Sequence, residues 1–188
     1  MRVSSACLGP LGTNCYLIEL ESGTLLVDPA EDCPALHSLI EDRSIDAVVL
    51  THGHFDHVGG AWAVNAPQIV MHHDDLSLVD QCFPNHDPIH RFIKDGDEIL
   101  PGVNVLHLPG HSPGSVILQI EDALFVGDVL FAGSIGRTDL PGGSMEVMAD
   151  SLRRLTALPG EYGVYPGHGD STTLNCERQI NPYIRMLR

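Results

Sequence analysis

Six residues, His52-Gly53-His54-Phe55-Asp56-His57, hold three imidazoles and a carboxylate inside the longer stretch Thr51 to Gly60. Histidine is the commonest metal ligand, and so dense a His/Asp cluster points to a metal site. The spacing also constrains the backbone. An α-helix would set His52 beside Asp56 and turn His54 to the opposite side. In an extended segment His52 and His54 face the same way, and a turn after them can aim Asp56 and His57 at a second point a few ångströms off. Two neighbouring metals are therefore expected, on a loop leaving the apolar run Ile45 to Leu50, which reads as a buried strand. Gly53, Gly59 and Gly60 read as the source of that loop's backbone freedom.

The same arrangement recurs along the chain. Val48-Val49-Leu50 precedes His52, Val105 to Leu108 precedes Pro109-Gly110-His111-Ser112, Leu124 to Gly127 precedes Asp128, and Val164 to Gly167 precedes His168. Neighbouring strands lie about 5 Å apart, so ligands far apart in sequence can converge at one sheet edge. Strands at 2–6, 15–20 and 24–27 suggest an antiparallel start. Asp32 is placed to cap a helix with Pro34 in its first turn and Leu36, Leu39 and Ile40 on one face. A short helix at 60–66, a strand at 68–71 and helical turns at 74–79 follow, and 81–97 reads as a polar loop.

Further strands are expected at 103–108, 116–120, 123–127 and 162–165, with a long loop at 133–143. Ser144 opens an amphipathic helix with Val147, Met148, Leu152 and Leu155 inward, and a C-terminal helix from near Thr172 is kinked or ended by Pro182. Strands alternating with helices imply an α/β layered fold on mixed sheets. At 188 residues and 43% hydrophobic content the chain suits one core, hence a single domain over 1–188.

His52, His54 and His111 would make a three-nitrogen site, and Asp56, His57 and His168 a second, more oxygen-rich one, with Asp128 able to bridge both. Three nitrogens and an open position form a catalytic rather than a structural zinc arrangement. Two metals about 3.5 to 4 Å apart can share a bridging hydroxide and polarise a substrate carbonyl, which makes hydrolysis the natural reaction. Asp56 and Asp128 are thus the catalytic carboxylates, and the expected cofactors are two divalent ions, zinc ahead of iron or manganese. Asp28, after Leu25-Leu26-Val27, reads either as orienting a ligand histidine or as a turn residue before Pro29. His72 and His73 read as a solvated helix start, and His37, His86, His90 and His107 as surface or satisfied histidines.

A formal charge of -15 excludes nucleic acid and anionic membrane surfaces as partners. No run of 18 apolar residues occurs and Gly9-Pro10 and Gly12 interrupt the N-terminal segment, so a cytoplasmic location is expected. Five scattered cysteines without a C-x-x-C pair read as small buried or half-buried thiols.

Thr-His-Gly-His-Phe-Asp-His at 51–57, Pro-Gly-His-Ser at 109–112, Gly-Asp at 127–128 and Pro-Gly-His-Gly at 166–169 together resemble the metallo-β-lactamase superfamily. The resemblance implies a four-layer αββα sandwich with metals between the inner edges of two β-sheets. Gly127 to Phe131 followed by Ile135-Gly136-Arg137-Thr138-Asp139 is similar to compact members of the glyoxalase II group that lack an added helical domain. That implies hydrolysis of a small anionic glutathione thioester such as S-lactoylglutathione. Where glyoxalase II proper carries Lys-Phe-Tyr this chain has Arg137-Thr138-Asp139, and Arg137 could bind a substrate carboxylate bidentately. Two alternatives share the motifs. A persulfide dioxygenase would hold one iron on His52, His111 and Asp128, and a lactonase or other esterase would use the full ligand set.

Overall fold

Strands buried on both faces are apolar along their whole length, and here such strands form the middle of two sheets packed face to face. The computed structural model describes residues 1–187. The first sheet contains β1 (Arg2–Leu8), β2 (Thr13–Leu20), β3 (Gly23–Val27), β4 (Ala47–Val49), β5 (Ile69–His72) and β6 (Arg91–Ile93), in sequence order. Its first three strands are antiparallel, and β3 to β6 run parallel. Next come β7 (Val103–His107), β8 (Val116–Ile120), β9 (Ala123–Gly127), a small hairpin of β10 (Leu130–Phe131) and β11 (Ser134–Ile135), then β12 (Gly163–Pro166) and β13 (Thr172–Thr173). The second sheet has the order β13-β12-β9-β8-β7.

Side chains alternate across a strand, so each sheet feeds two cores. Ile18, Val27 and Val49 meet Val105, Leu118 and Phe125 between the sheets. Their neighbours Leu17, Leu26 and Val48 face outward, under Leu36 of α1 (Pro34–Ile40), Val58 of α2 (Phe55–Val58) and Val79 of α3 (Leu76–Cys82). On the far side, Ile117, Leu124, Val126 and Val164 are covered by Met148, Leu152 and Leu155 of α4 (Met145–Thr156). Leu174 of α5 (Leu174–Ile180) and Ile184 of α6 (Pro182–Arg185) complete that layer. Three cores separating helices, sheet, sheet and helices make the αββα sandwich that the motifs imply.

Several local expectations are corrected. Asp32 does not cap α1: Cys33 occupies that position without a side-chain bond, and Asp32 instead lies 2.7 Å from His37 Nε2. Residues 91–93 form the edge strand β6 rather than loop, and 134–135 pair in the hairpin, because both find open strand partners that composition does not reveal. Only Ala61–Ala63 of the helix expected at 60–66 forms, as a 3-10 turn. Val147 is 40% exposed while Met148, Leu152 and Leu155 are buried, so α4 presents a narrower inner stripe. The C-terminal helix starts at Leu174, capped by Thr173, and Pro182 opens the separate α6. Of the five free cysteines only Cys15 is buried and Cys33 half-buried; Cys7, Cys82 and Cys176 are exposed.

Candidate metal centre

Strand direction decides where the ligands meet. In the first sheet β3 and β4 are parallel, so Asp28 and Thr51-His52 emerge at the same edge. In the second, β7 and β9 are both antiparallel to β8 and β12 is parallel to β9, so the loops bearing His111, Asp128 and His168 also leave together. The histidine loop is extended at His54 (φ -71°, ψ 146°) and then turns into α2 at Phe55. This is the extended-then-turn path that the spacing requires. Its glycines serve close approach rather than left-handed backbone: a Cβ on Gly53 would stand 2.6 Å from Asp75 O. Gly167 is equally constrained, since a Cβ there would lie 2.6 Å from His57 Cε1 and collide with Asp128 Oδ1.

His111 Nε2 lies 3.2 Å from His52 Nε2 and 2.8 Å from His54 Nδ1. In a second cluster His57 Nε2 is 3.3 Å from His168 Nε2, and Asp56 Oδ2 is 3.2 Å from His168 Nε2. Asp128 stands between them, with Oδ1 3.4 Å from His57 Nε2 and Oδ2 3.5 Å from His111 Nε2 and 3.6 Å from His168 Nε2. The sequence reading thus names seven side chains that do converge, as two ligand sets about one carboxylate. Their chemistry fits metal. Imidazole nitrogens aim at one another at separations near the ~3.4 Å edge of a tetrahedron with 2.0–2.1 Å bonds. Asp128 Oδ1 is buried without a hydrogen-bond partner, which a bound cation would satisfy.

Outer contacts fix which nitrogen of His57 and of His111 faces inward. Asp28, 1% exposed and held at φ 51°, has Oδ2 2.8 Å from His57 Nδ1, and accepts from Thr51 N–H at 2.8 Å and Thr51 Oγ1 at 2.6 Å. His111 Nδ1 is 2.8 Å from the Arg137 carbonyl oxygen. Such partners hold a ligand's tautomer and ring orientation. Across the sheets, Asn14 and Tyr16 of β2 donate to the Pro166 carbonyl at 3.0 and 2.7 Å and so anchor the His168 loop.

Sequence reasoning missed Asp75. This buried carboxylate accepts from Gly53 N–H at 2.9 Å, Ser112 Oγ at 2.6 Å and Gly114 N–H at 2.6 Å, fastening the His52/His54 loop to the His111 loop. Nothing in the run His72-His73-Asp74-Asp75 separates it from its exposed neighbour. Asp75→Ala leaves two buried N–H groups unpaired, a loss of about 1–3 kcal/mol each, and is expected to weaken metal binding about 10- to 100-fold. Competition against a chelator reads this directly; wild-type affinity in a merely less stable variant would rule the anchor out. His72 also differs from expectation, since its ring stacks on His107 at 4.0 Å and is mostly covered while His73 is exposed; His107 is a satisfied histidine as expected, its Nε2 2.8 Å from the Pro113 carbonyl oxygen.

Charge divides the two sets. Burial drives His52 and His54 well below and below the ordinary imidazole range, and burial with His54 nearby takes His111 down to about 4. These rings are held neutral, the form in which imidazole can ligate a metal. Burial opposes a proton on His57, but Asp28, Asp128 and Asp56 outweigh it and raise His57 to about 9. His168 is raised chiefly by its bond to Asp56, and Asp56 falls to about 2 because His168 and His57 overcome its own burial. Burial raises Asp128. Metal at the second set therefore displaces protons, whereas the first set is already deprotonated.

Over the ligands opens a cavity of about 600 Å³. Leu11, Phe55, Leu78, Phe131, Ile135, Leu140 and Pro141 line it, with Gln81 and Arg137 as the polar side chains outside the ligand sets. Arg137 is there as expected, but its guanidinium is engaged bidentately by Asp139 at 2.9 and 3.0 Å, both residues lying exposed.

Two His/Asp ligand sets at the facing edges of an αββα sandwich define the class: metal-binding hydrolases of α/β architecture. The chain belongs to the metallo-β-lactamase superfamily, whose family model matches residues 8–168. It is 36% identical over 198 residues to the hydroxyacylglutathione hydrolase GloC of Haemophilus influenzae, covering 91% of this chain and 92% of that protein. The crystal structure of TTHA1623 in a di-iron-bound form superposes with a TM-score of 0.89 at 38% identity, covering 96% of this chain and all of that one. ETHE1 from Myxococcus xanthus gives 0.82 at 28% identity, covering 100% and 90%. Among the described residues no helix is long and apolar enough to cross a membrane.

Proposed function

We propose that the protein hydrolyses a glutathione thioester, S-lactoylglutathione being the reference substrate, with two divalent metal ions. The observation that carries this reading is Asp128 standing within 3.4–3.6 Å of ligands from both sets. His52, His54 and His111 would hold one ion, and Asp56, His57 and His168 the other. When bound, the ions would supply an acidified water and polarisation of the scissile carbonyl. The protein's own part is orientation. Asp28 and the Arg137 carbonyl fix the inward nitrogens of His57 and His111, Asp75 ties two ligand loops together, and the apolar mouth limits water. With only Asp56 and Asp128 as anionic ligands, a doubly loaded centre stays net positive inside a chain of formal charge -15, which favours an anionic substrate.

Elemental analysis of protein purified without added metal, with kinetics on S-lactoylglutathione, tests the proposal. Close to two equivalents of zinc, iron or manganese with thioester cleavage is the expected result. One iron per chain, with oxygen consumption on glutathione persulfide, would instead assign His52, His111 and Asp128 to a mononuclear dioxygenase. Arg137→Ala is expected to raise KM no more than about threefold with little change in kcat, because a substrate carboxylate must first displace Asp139 from an exposed pair. Steady-state kinetics at low and high salt measure it. A larger loss, in kcat, would place Arg137 nearer the chemistry.

A further inference from the structure

The cavity wall has a composition that the ligand sets do not explain. Leu11 comes from the β1–β2 turn, Phe55 from α2, Leu78 from α3, Phe131 and Ile135 from the β10–β11 hairpin and Leu140 from the loop that follows. Five separate segments thus turn apolar side chains toward one opening. Two of them are left largely in water: Leu11 is 56% exposed and Phe55 50%. Grouped apolar side chains at a pocket mouth are unfavourable unless something covers them, and they mark ligand-binding surfaces. The wall also lacks free charge. Among the described residues Arg137 is its one cation outside the ligand sets, and Asp139 already neutralises it.

We infer that the acyl group of the natural substrate is apolar, an unbranched alkyl or aryl chain longer than lactoyl, lying on the Leu11, Phe55, Leu78 and Phe131 wall. The inference rests on the thioester hydrolase reading and names its acyl half. Lactoyl carries a hydroxyl beside the carbonyl, and among the described residues, apart from the candidate metal ligands, only Gln81 and the occupied Arg137 offer it a polar side chain. An alkyl chain in the same place removes apolar surface on both sides from water. Each methylene added should raise kcat/KM about two- to fourfold until the cavity is full, less than or equal to the gain for complete burial of a CH2 group.

The test uses metal-loaded protein with S-acetyl-, S-butanoyl-, S-hexanoyl- and S-lactoylglutathione, and calorimetric binding of the inert thioethers S-methyl-, S-butyl- and S-hexylglutathione. Expected are a rising kcat/KM with chain length, hexanoyl exceeding lactoyl by about tenfold or more, and a Kd that falls in parallel for the thioethers. Phe55→Ala and Leu11→Ala, both at exposed positions that the fold does not need, should flatten both slopes. Cleavage of S-lactoylglutathione with no dependence on chain length in either series overturns the inference and leaves the hydrolase reading standing. Tightening thioether binding without cleavage of any thioester supports the apolar site and overturns the hydrolase reading. Neither cleavage nor binding overturns both.

Discussion

Asp128→Asn is expected to lower hydrolysis by about 100-fold or more while the circular dichroism spectrum stays that of the wild type. Asp128 lies against ligands of both sets from the open side of the site, at 3.4 Å from His57, 3.5 Å from His111 and 3.6 Å from His168. An amide keeps the shape, but one of its two terminal atoms becomes an NH2 group, which donates and cannot ligate. One set then loses its share of the bridge. Changes to groups that merely orient ligands cost about 10- to 100-fold in affinity or activity, so loss of a shared ligand belongs at or beyond the upper end. The fold should survive, because the side chain lies at the sheet edge rather than in any of the three cores. Near-normal turnover with full metal content would show that the two sets work without a bridge.

Removing metal is the second large effect. A ligand that binds only the folded state stabilises it by about 4 kcal/mol when its concentration is 1,000 times Kd. For a chain of this length each kcal/mol moves Tm by roughly 2–4 °C, so stripping one filled set should lower Tm by about 8–16 °C and stripping both by more. Differential scanning calorimetry before and after chelation, with zinc or manganese restored, reads the shift. His54→Ala and Asp56→Ala should each retain one equivalent and part of the stabilisation, since those residues belong to different clusters. An unchanged Tm on chelation would mean that the clusters hold no tightly bound ion. The imidazoles facing one another at 2.8–3.3 Å would then be paired through their own protons.

By itself the sequence picked out the seven side chains that converge and an α/β layered fold, and its family resemblance implied the layer order. His52, His54, Asp56 and His57 lie so close together that local backbone geometry admits few ways of using all four, and the structure adopts the extended-then-turn path. The apolar runs likewise mark the strands as buried, but which of two apolar neighbours such as Leu17 and Ile18, Leu26 and Val27 or Val48 and Val49 enters which core is seen only in the packing. Tertiary structure alone decided what supports and covers the site. Asp75 looks like Asp74 in sequence, and only packing buries one carboxylate among Gly53, Ser112 and Gly114 while leaving the other in water. The strand at 91–93 exists because β5 offers it an open edge, and His72 meets His107 because the two sheets bring their strand ends together. Arg137 reads as a free anion binder until Asp139, two residues on, is seen to fold back onto it. Local spacing limits what a short segment can do with its own ligands, whereas burial and partner choice depend on segments as distant as those of Asn14 and Pro166, 152 residues apart, which only the folded chain brings into contact.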